Sequence, residues 1–393
     1  MGLSNAMKLV SLLTLFTITT TLAVQIAPSP DSHVGVPQSE RSLLQRMLKG
    51  KHGKGRHRHI KERRNRDRRP RVVVRDADAT AVVAQDGSGN FPNIKAALDA
   101  SLKRGGDSRY VIHIKSGVYS ERLVVTKEMK NIVFAGDGMG KTIITGSVSN
   151  KNGGKGTAVS ATVIIKGEGF VARDITFRNT AGPQNGQAPA ITSSAPHSAF
   201  YRCGFEGYQD TIVASRGQQF FRECDVYGTI DFICGDAAAV FQGCNLRLRK
   251  SPSRMITIAA SSRTSADSNS GLVFQNCRVT AEPELREVIG THKIYLGRPW
   301  KQYARTVYIQ NDFDVPIQAE GWLRWDANEG GKDGTVLYRE YGNRGMGSST
   351  GGRVRWAGYR VMDSNEASRF TVANMIQGQT WLPSTGVPFD AGL

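Results

Sequence analysis

Two aspartates in the middle of the chain are spaced so that their carboxyl groups could meet. Asp210 lies in Gln-Asp-Thr and Asp231 in Thr-Ile-Asp-Phe, 21 residues further on. Two neighbouring carboxyl groups cannot easily both ionise, so the pKa of one rises while the other stays anionic. An acid beside a carboxylate suits the hydrolysis of an ester or a glycoside. The alternative is a pair of unrelated turn residues.

The elements that would position this pair are visible as a repeat. The pattern is an apolar residue, Arg or Gln, a short polar gap, Cys or Asp, and a second apolar residue. Its copies begin at residues 172, 201, 221, 241, 274 and 309. Short strands at such intervals, with no long helical pattern between them, indicate a solenoid. We predict an all-β fold, a right-handed parallel β-helix, whose coils stack about 4.8 Å apart.

The cysteines follow the same repeat. Cys203 and Cys224 are also 21 residues apart, and all five cysteines lie between residues 203 and 277. At one register of stacked coils, their Cα atoms would fall within the disulfide range of about 4.4–6.8 Å. We predict the disulfides Cys203–Cys224 and Cys244–Cys277. A Cys224–Cys244 bridge is open by the same logic, and Cys234 is expected to be unpaired.

The amino-terminal fifth of the chain differs from the rest. Residues 1–24 are typical of a secretory signal, since Lys8 precedes an apolar run, although a signal anchor is an alternative. Residues 25–78 are predicted to be a disordered basic linker or vestigial pro-region. Within them, residues 45–75 supply +12 of the chain's net charge of +18 and have few apolar side chains to bury. Residues 79–393 are predicted to form the β-helix.

Two helical patterns flank the repeat, and one motif is misleading. Residues 92–103 have helical periodicity, and residues 364–376 have a weaker pattern with Ser364 as the expected N-cap. We expect short capping helices there.

The sequence Gly-Ser-Ser-Thr-Gly at residues 347–351 matches a serine-hydrolase elbow. It lacks the flanking strand and helix that this motif requires, so a loop is predicted.

Seven segments between about residues 80 and 390 together resemble the plant-type pectinesterases, or pectin methylesterases. They are Ala84–Gly89, Gly117–Glu121, Gln187–Ala188, Tyr208–Thr211, Gly228–Ile233, Leu296–Trp300 and Glu340–Gly345. Each segment is weakly specific alone, and their number and order carry the resemblance. The family fold is a right-handed parallel β-helix, in agreement with the repeat.

The resemblance implies catalytic roles for three residues. Asp231 would be the nucleophile that attacks the C6 methyl ester of galacturonate. Asp210 would be the proton donor to the departing methanol and then the base that activates water. Gln209 would stabilise the tetrahedral oxyanion.

The resemblance also implies four substrate-site residues. Gln187 would lie beside Gln209, and Thr157 would occupy a further substrate position. Arg298 would hydrogen-bond the nucleophile through its guanidinium fork, or else form a purely structural ion pair. Trp300 would stack on a sugar, or else belong to the core.

The function implied is that of a secreted cell-wall esterase that converts pectin into pectate and methanol. No metal or organic cofactor is expected. The chain would be a monomer without stable membrane association or nucleic-acid partner, and a proteinaceous pectinesterase inhibitor is a possible partner. No built-in inhibitor domain is expected, because no cysteine precedes residue 80. Alternatives are a non-catalytic pectin-binding protein on the same scaffold, a pectate lyase and a polygalacturonase.

The chain departs from the family pattern around the proposed site. The family's Gln-Ala-Val-Ala-Leu-Arg becomes Gln-Ala-Pro-Ala-Ile-Thr, which places Pro189 and Thr192 there. Its Asp-Phe-Ile-Phe-Gly-Asn becomes Asp-Phe-Ile-Cys-Gly-Asp, which introduces Cys234 and Asp236. Its Tyr-Val-His after the first aspartate becomes Val-Ala-Ser from Val213. The proposed catalytic positions are kept, whereas the cleft walls change, and Asp236 adds a charge that could shift local pKa values.

Overall fold

The computed structural model describes residues 78–104, 107–326 and 332–393. They lie within one of the two units of the chain, Val72–Leu393. The predicted signal and nearly all of the predicted linker fall outside the described residues, so both stay predictions.

Short strands are the main regular elements of the described part. In chain order they are β1 (Ala81–Val83), β2 (Tyr110–Ile114), β3 (Gly117–Tyr119), β4 (Leu123–Val125), β5 (Ile132–Gly136), β6 (Thr142–Gly146), β7 (Val163–Ile165), β8 (Val171–Arg173), β9 (Thr176–Asn179), β10 (Ile191–Ser193), β11 (Ser198–Tyr201), β12 (Gly204–Glu206), β13 (Ile212–Ala214), β14 (Gln218–Arg222), β15 (Asp225–Gly228), β16 (Ile230–Gly235), β17 (Ala238–Gln242), β18 (Asn245–Leu248), β19 (Met255–Ser261), β20 (Gly271–Gln275), β21 (Arg278–Ala281), β22 (Lys293–Gly297), β23 (Arg305–Ile309), β24 (Asp312–Phe313), β25 (Leu337–Tyr341), β26 (Arg344–Gly345) and β27 (Tyr359–Val361).

These strands form three parallel sheets. The 11-stranded sheet has the order β1-β2-β5-β8-β11-β14-β17-β20-β23-β25-β27. The 9-stranded sheet has the order β26-β24-β21-β18-β15-β12-β9-β6-β3, and the 7-stranded sheet has the order β22-β19-β16-β13-β10-β7-β4. Successive strands of one coil enter different sheets, and each pairs with its counterpart in the next coil. The predicted parallel β-helix is confirmed.

Aromatic rings stack through the centre of the coils. The rings of Phe221 and Phe241 are parallel with centroids 4.3 Å apart, and those of Phe274 and Tyr308 are 4.7 Å apart. Such pairs contribute about 0.5–1.5 kcal/mol each beyond their burial. The paired strands also correct the register of the repeat. Phe200 pairs with Phe221, and Tyr308 with Phe274, so the copies start one residue before positions 201 and 309.

A single left-handed residue turns the chain from the 11-stranded to the 9-stranded sheet. It recurs with positive φ in consecutive coils, at Asp174, Arg202, Glu223, Gly243, Asn276, Gln310 and Gly342. Non-glycine residues adopt this conformation uncommonly, at a cost of about 1–2 kcal/mol each. The repeat recognised in the sequence is therefore a strand, this one-residue turn and the start of the next strand.

The predicted disulfides Cys203–Cys224 and Cys244–Cys277 are wrong in this structure, where all five cysteines are free and buried. The predicted stacking is correct for Cys203, Cys224, Cys244 and Cys277, because each of these four follows the left-handed turn of its own coil. The stacked thiols hydrogen-bond to main-chain carbonyls and to one another, without a covalent bond between sulfurs. Cys244 Sγ donates to Phe221 O at 3.4 Å and Cys277 Sγ to Phe241 O at 3.2 Å. Cys234 lies within β16, outside this stack.

The first predicted helix is confirmed as α1 (Ile94–Ser101). Asn93 caps it, with Oδ1 accepting from Ala96 N at 2.8 Å. Ile94, Ala97 and Leu98 are buried in the central core beside the first strands. The helix therefore covers apolar residues that the first coil would otherwise expose.

A short helix, α2 (Pro283–Arg286), follows β21. The second predicted helix, over residues 364–376, is broken into α3 (Ser364–Ser368) and α4 (Val372–Met375), and α5 (Gly378–Trp381) comes after them. The N-cap of α3 is Asp363 rather than Ser364, because the Asp363 side chain accepts from Glu366 N. Within the described ranges, 3₁₀ turns also occur at Ala158–Ser160, Pro183–Asn185, Ile289–Thr291 and Leu382–Thr385. The late helices bury Phe370, Val372 and Met375 against the outer face of the 11-stranded sheet.

The predicted loop at residues 347–351 is also confirmed. It follows β26 and contains only turn and irregular backbone, with no helix directly after it.

Candidate active site

The two aspartates lie on adjacent coils of the 7-stranded sheet, as their spacing predicts. Ile212 in β13 pairs with Ile233 in β16, the same 21-residue step that separates Asp210 from Asp231. Asp210 N donates to Ile230 O at 3.2 Å, directly before Asp231. Both aspartates are buried.

Asp231 lies at an irregularity in β16. The pairing with β19 shifts between Ile230 and Ile233, so β16 carries one extra residue there. Asp231 has φ 50° and Asp210 has φ 59°. Aspartate tolerates this left-handed conformation better than most residues, and a bulge re-aims a side chain away from the regular alternation. Gly228 is required nearby, because a Cβ there would lie 2.1 Å from Cβ of Phe232.

The Asp231 carboxylate is held by two side chains. Arg298 Nε donates to Oδ1 at 2.9 Å, and its Nη2 donates to Oδ2 at 2.6 Å. Thr257, on β19, donates through Oγ1 to Asp231 Oδ1 at 2.6 Å and accepts Asp231 N at 2.8 Å. Paired charge-assisted bonds of this kind fix both the position and the orientation of a carboxylate. Arg298 comes from the Gly-Arg-Pro-Trp segment that follows β22.

Asp210 differs from its neighbour electrostatically. Burial raises the pKa of Asp210 well above its ordinary value, and the negative charge of Asp231 raises that pKa further. The Arg298 guanidinium opposes this shift. Asp210 is therefore favoured as the protonated member of the pair, whereas Asp231 is the member that the Arg298 guanidinium binds.

Two glutamines adjoin the pair on neighbouring coils. Gln187 and Gln209 form an isolated parallel bridge, and Ala188 N donates to Gln209 O at 3.2 Å. Asn150 Nδ2 donates to Gln187 Oε1 at 3.4 Å, and Asn150 N donates to Gln187 O. This contact engages the amide oxygen of Gln187 and leaves its Nε2 as a donor. Amide donors beside a nucleophile suit an oxyanion.

Two tryptophans pack on the outer face of the 7-stranded sheet. Trp300 and Trp325 are nearly parallel, with ring centroids 6.2 Å apart, and both are partly exposed. They contact Val213, Cys234 and Ala260 rather than the central core. The Arg298 guanidinium lies 4.4 Å from the Trp325 ring centroid, a cation–π contact. Partly exposed, parallel indole faces suit the apolar face of a sugar.

Thr157 lies further away than the other predicted residues. It immediately precedes the 3₁₀ turn Ala158–Ser160, before β7, and β7 is three strands from β16 in the sheet. Among the described residues, no hydrogen bond of its side chain reaches Asp210 or Asp231.

Two of the departures from the family pattern have clear surroundings. Asp236 accepts a hydrogen bond from Ser270 Oγ at 2.5 Å and is not among the charges that shift the pKa of Asp210. The expectation that Asp236 perturbs the pair therefore gains no support. Cys234 does lie by the pair: burial raises the pKa of its thiol well above the ordinary value, and the charges of Asp210 and Asp231 raise it further.

Sequence reasoning missed Thr257, Trp325 and Asn150. Thr257 is 26 residues from Asp231 and belongs to no recognisable motif. Trp325 comes from a loop that the isolated bridge Gly297–Trp322 brings beside Arg298. In the sequence, only the Trp-Leu-Arg-Trp segment at residues 322–325 could have indicated Trp325.

Two kinds of feature are absent from the described residues. No group of three or more His, Cys, Asp or Glu residues there could hold a metal ion. None of the helices formed there has the length and apolar character needed to cross a membrane.

Comparison with known proteins identifies one family. The pectinesterase family model matches residues 80–379. The chain is 53% identical over 316 residues to pectinesterase 2 of Citrus sinensis, covering 80% of this chain and 61% of that protein. It is 52% identical over 314 residues to a probable pectinesterase/pectinesterase inhibitor 17 of Arabidopsis thaliana, covering 80% and 60%. The chain thus spans about three fifths of the length of these curated relatives.

Solved structures give the same result. Pectin methylesterase from carrot superposes with a TM-score of 0.78 at 43% identity, covering 81% of this chain and all of that one. Pectin methylesterase from Aspergillus niger superposes with a TM-score of 0.66 at 26% identity, covering 79% and 97%.

Proposed function

Because this chain belongs to the pectinesterase family, we propose that it hydrolyses the C6 methyl esters of galacturonate in pectin and releases methanol. The observation that carries the proposal is the asymmetric pair. Asp231 is a carboxylate clamped by Arg298 and Thr257, and Asp210 is a buried acid of raised pKa beside it.

In the proposed first step, an Asp231 oxygen attacks the ester carbonyl carbon. Arg298 and Thr257 hold the carboxylate, so little reorganisation is needed at the moment of attack. The tetrahedral oxyanion accepts hydrogen bonds from the Gln209 and Gln187 amides, each worth roughly 2.7–4 kcal/mol of barrier in comparable hydrolases. The C–O bond to the methoxy group breaks, and Asp210 gives it a proton. Methanol leaves, and an acyl-Asp231 anhydride remains.

In the second step, Asp210 is the base. Having lost its proton, its carboxylate takes one from a water molecule as that water attacks the acyl carbon. The anhydride bond breaks, Asp231 regains its carboxylate and Asp210 regains its proton. The sugar product is a free carboxylic acid, which ionises and releases a proton to solvent. Every group thus returns to its starting state.

The surroundings of the pair fit a polysaccharide substrate. Trp300 and Trp325 offer parallel aromatic faces over the same sheet, and Trp300 is proposed to stack on a sugar ring. Thr157 is proposed to contact a more distant part of the polymer, consistent with its position three strands away.

We further propose that the protein is a monomer secreted to the cell wall, and that a proteinaceous pectinesterase inhibitor is a partner. The apolar segment after Lys8 supports secretion, and the relatives whose names include an inhibitor motivate the partner. The basic segment 45–75 would favour an acidic polysaccharide surface.

The direct test is the release of methanol from highly methylated pectin in the presence of EDTA, with polymer length followed in the same reaction. We expect methanol at unchanged chain length. Shortened chains without methanol would indicate a lyase or polygalacturonase activity. Bound pectin with neither product would indicate a non-catalytic binding protein.

A further inference from the structure

A cavity of about 260 Å³ lies at the corner where the first coils enter the 11-stranded sheet. The pairing of the strands that follow this corner aligns Arg109 with Asn131, Asn131 with Gly169, and Gly169 with His197. All four residues line the cavity, so it extends over four stacked coils, or about 14 Å. We call this space the corner cavity. None of the residues that line it belongs to the candidate active site.

The end of the chain supplies another wall of the corner cavity. Trp381 in α5 and Ser384 in the following 3₁₀ turn both line it. The Trp381 ring lies 5.2 Å from the His197 ring and is tilted from it by 38°. Trp381 Nε1 donates to Ile376 O at 2.9 Å, which fixes the indole in place. The cavity therefore has an aromatic pair beside its row of polar positions.

Two cations line the cavity, and neither has a carboxylate partner within the described residues. The partly buried Arg109 guanidinium makes one long hydrogen bond, from Nη2 to Ser384 Oγ at 3.4 Å, and its Nη1 is buried without a partner there. Burial lowers the pKa of Arg109, and no neighbouring charge offsets that shift. Lys130, on the next coil, is exposed. Burying a cation costs free energy unless an anion pairs with it, so these residues indicate an anionic ligand.

Two carboxylates share the cavity with these cations and restrict the kind of anion. Glu168 Oε1 lies 3.5 Å from His197 Nδ1, and the Glu168 side chain is 52% exposed. Asp107 is also exposed. A phosphate or sulfate would bring a second negative charge towards these acids. A sugar acid instead offers one carboxylate to Arg109 and Lys130, hydroxyl donors to the acids, and an apolar ring face to the aromatic pair.

We propose that the corner cavity is a second carbohydrate site that binds a non-esterified galacturonate residue, with Arg109 and Lys130 holding its carboxylate. The choice of galacturonate among sugar acids rests on the proposed function, because that reaction leaves this acid in the polymer. The cavity residues follow the carboxyl ends of β4, β7 and β10, whereas Asp210 precedes β13. The site is therefore separate from the aspartate pair, and it would hold a demethylated stretch of the polymer outside the active site.

The test follows amide hydrogen exchange of the full chain while fully de-esterified trigalacturonate is added. Exchange in the turn at residues 381–385 should slow as the cavity fills, because ligand binding suppresses local opening. The concentration that gives half of this protection reports the affinity of the corner cavity, whatever binds elsewhere. Arg109→Gln and Lys130→Gln should each raise that concentration by about tenfold or more, since each removes a hydrogen bond to a charged group. Both variants should release methanol at the wild-type initial rate from short methylated oligogalacturonides.

Lys141→Gln is the matched control for Lys130→Gln. Lys141 is also exposed, lies directly before β6 and does not line the cavity. The same loss of charge there should leave the half-protection concentration unchanged. Lys130→Gln alters only an exposed side chain, so it keeps the test decisive even if Arg109→Gln does not fold.

Two comparison probes define the ligand class, and several outcomes would overturn the proposal. Inorganic phosphate and the neutral trisaccharide of galactose should both protect residues 381–385 much less than trigalacturonate does. Equal protection by phosphate would make the cavity a site for any small anion. Equal protection by the neutral sugar would remove the role of the two cations. Absence of protection by trigalacturonate in the wild type, or protection that Lys130→Gln and Lys141→Gln change alike, would contradict binding in the cavity.

Failure of the proposed function gives a different result, which is a wild type that releases no methanol. Protection of residues 381–385 by trigalacturonate, weakened by Lys130→Gln, would still support the corner cavity in that case. Methanol release without such protection would overturn the second site and leave the proposed function intact.

Discussion

Two regions of the molecule use left-handed non-glycine residues. One is the turn between the 11-stranded and 9-stranded sheets, where Arg202 has φ 54° and Glu223 also has φ 54°. The other is the candidate site on the 7-stranded sheet, where Asp231 has φ 50°. In the turn, the conformation recurs coil after coil and the residue type changes freely. In the site it occurs on two adjacent coils, and both residues are aspartate.

This difference distinguishes positions that only shape the backbone from positions whose side chains are proposed to react. At the turn, the backbone conformation is what matters, since Asp, Arg, Glu, Gly, Asn and Gln all fill the position. At the site, the unusual backbone re-aims particular carboxyl groups, one bound by Arg298 and one left without a cation of its own. Backbone strain is stored at functional sites when the surrounding structure holds it in place. If both kinds of position responded alike to substitution, this distinction between turn and site would be wrong.

A large effect is expected from removing the proposed acid. Asp210→Asn should lower the initial rate of methanol release by roughly 10²–10⁴-fold, the usual contribution of a positioned acid or base. Asp174→Asn, at a turn position with φ 56°, is the matched control and should keep near wild-type activity. Equal losses in the two variants would contradict the distinction between turn and site.

A smaller loss is expected at Thr257. Thr257→Val removes both hydrogen bonds to Asp231 at nearly constant size, and hydrogen bonds to charged groups are worth about 1.5–3 kcal/mol. The value of kcat should therefore fall roughly tenfold or more with little change in KM. Thr257→Ser keeps the hydroxyl and should restore most of the rate. A merely structural threonine would not show that recovery.

The raised pKa of Asp210 predicts that Asp210→Asn, which lowers activity, gains stability relative to the wild type as pH rises. Its folded-state pKa lies above the ordinary value of 3.8, so its contribution to stability is fully present below that pH. The contribution is lost as pH rises through the folded-state pKa. Asp210→Asn removes this loss, so the Tm of the variant relative to wild type should rise from about pH 4 towards neutrality. Thermal unfolding across that range checks it, and a difference independent of pH would contradict the assigned pKa shift.

The smallest effect belongs to the scaffold. Gly243→Ala puts a Cβ in a left-handed position with open space, its nearest neighbour being Glu223 Cγ at 4.0 Å. The free energy of unfolding should fall by about 1–2 kcal/mol from backbone conformation alone, without loss of activity. Gly290→Ala also adds a Cβ in open space but without positive φ, and it should be neutral or slightly stabilising. Denaturant unfolding compares the two.

The repeat made the fold predictable, because stacked coils place like residues at like positions. Phe221, Phe241 and Phe274 revealed the coil, and the 21-residue step placed Asp210 beside Asp231. The register slipped by one residue at Phe200 and Tyr308, because Tyr201 and Ile309 are also apolar and obscure the start of each copy. A short apolar run leaves the inward-facing residue ambiguous in a way that only the pairing resolves.

The parts of the site that were missed come from outside the repeat. Thr257 meets Asp231 through strand pairing across a long and irregular connection, and Trp325 arrives on a loop. The disulfide prediction was wrong for another reason. Common register brings the cysteines close, but it does not decide whether neighbouring thiols join as a disulfide or only hydrogen-bond to each other and to main-chain carbonyls.

The most direct measurement of the central claim compares Asp231→Asn with Asp225→Asn. Both replace a buried aspartate with an isosteric amide, and Asp225 lies on the 9-stranded sheet, where it accepts from Arg247 and Asn245. With both variants shown to be folded, methanol release should fall by roughly 10⁴-fold or more in Asp231→Asn, as expected when a nucleophile is lost. It should stay near wild type in Asp225→Asn. An Asp231→Asn protein that keeps activity within tenfold of wild type would contradict a covalent role for this carboxylate.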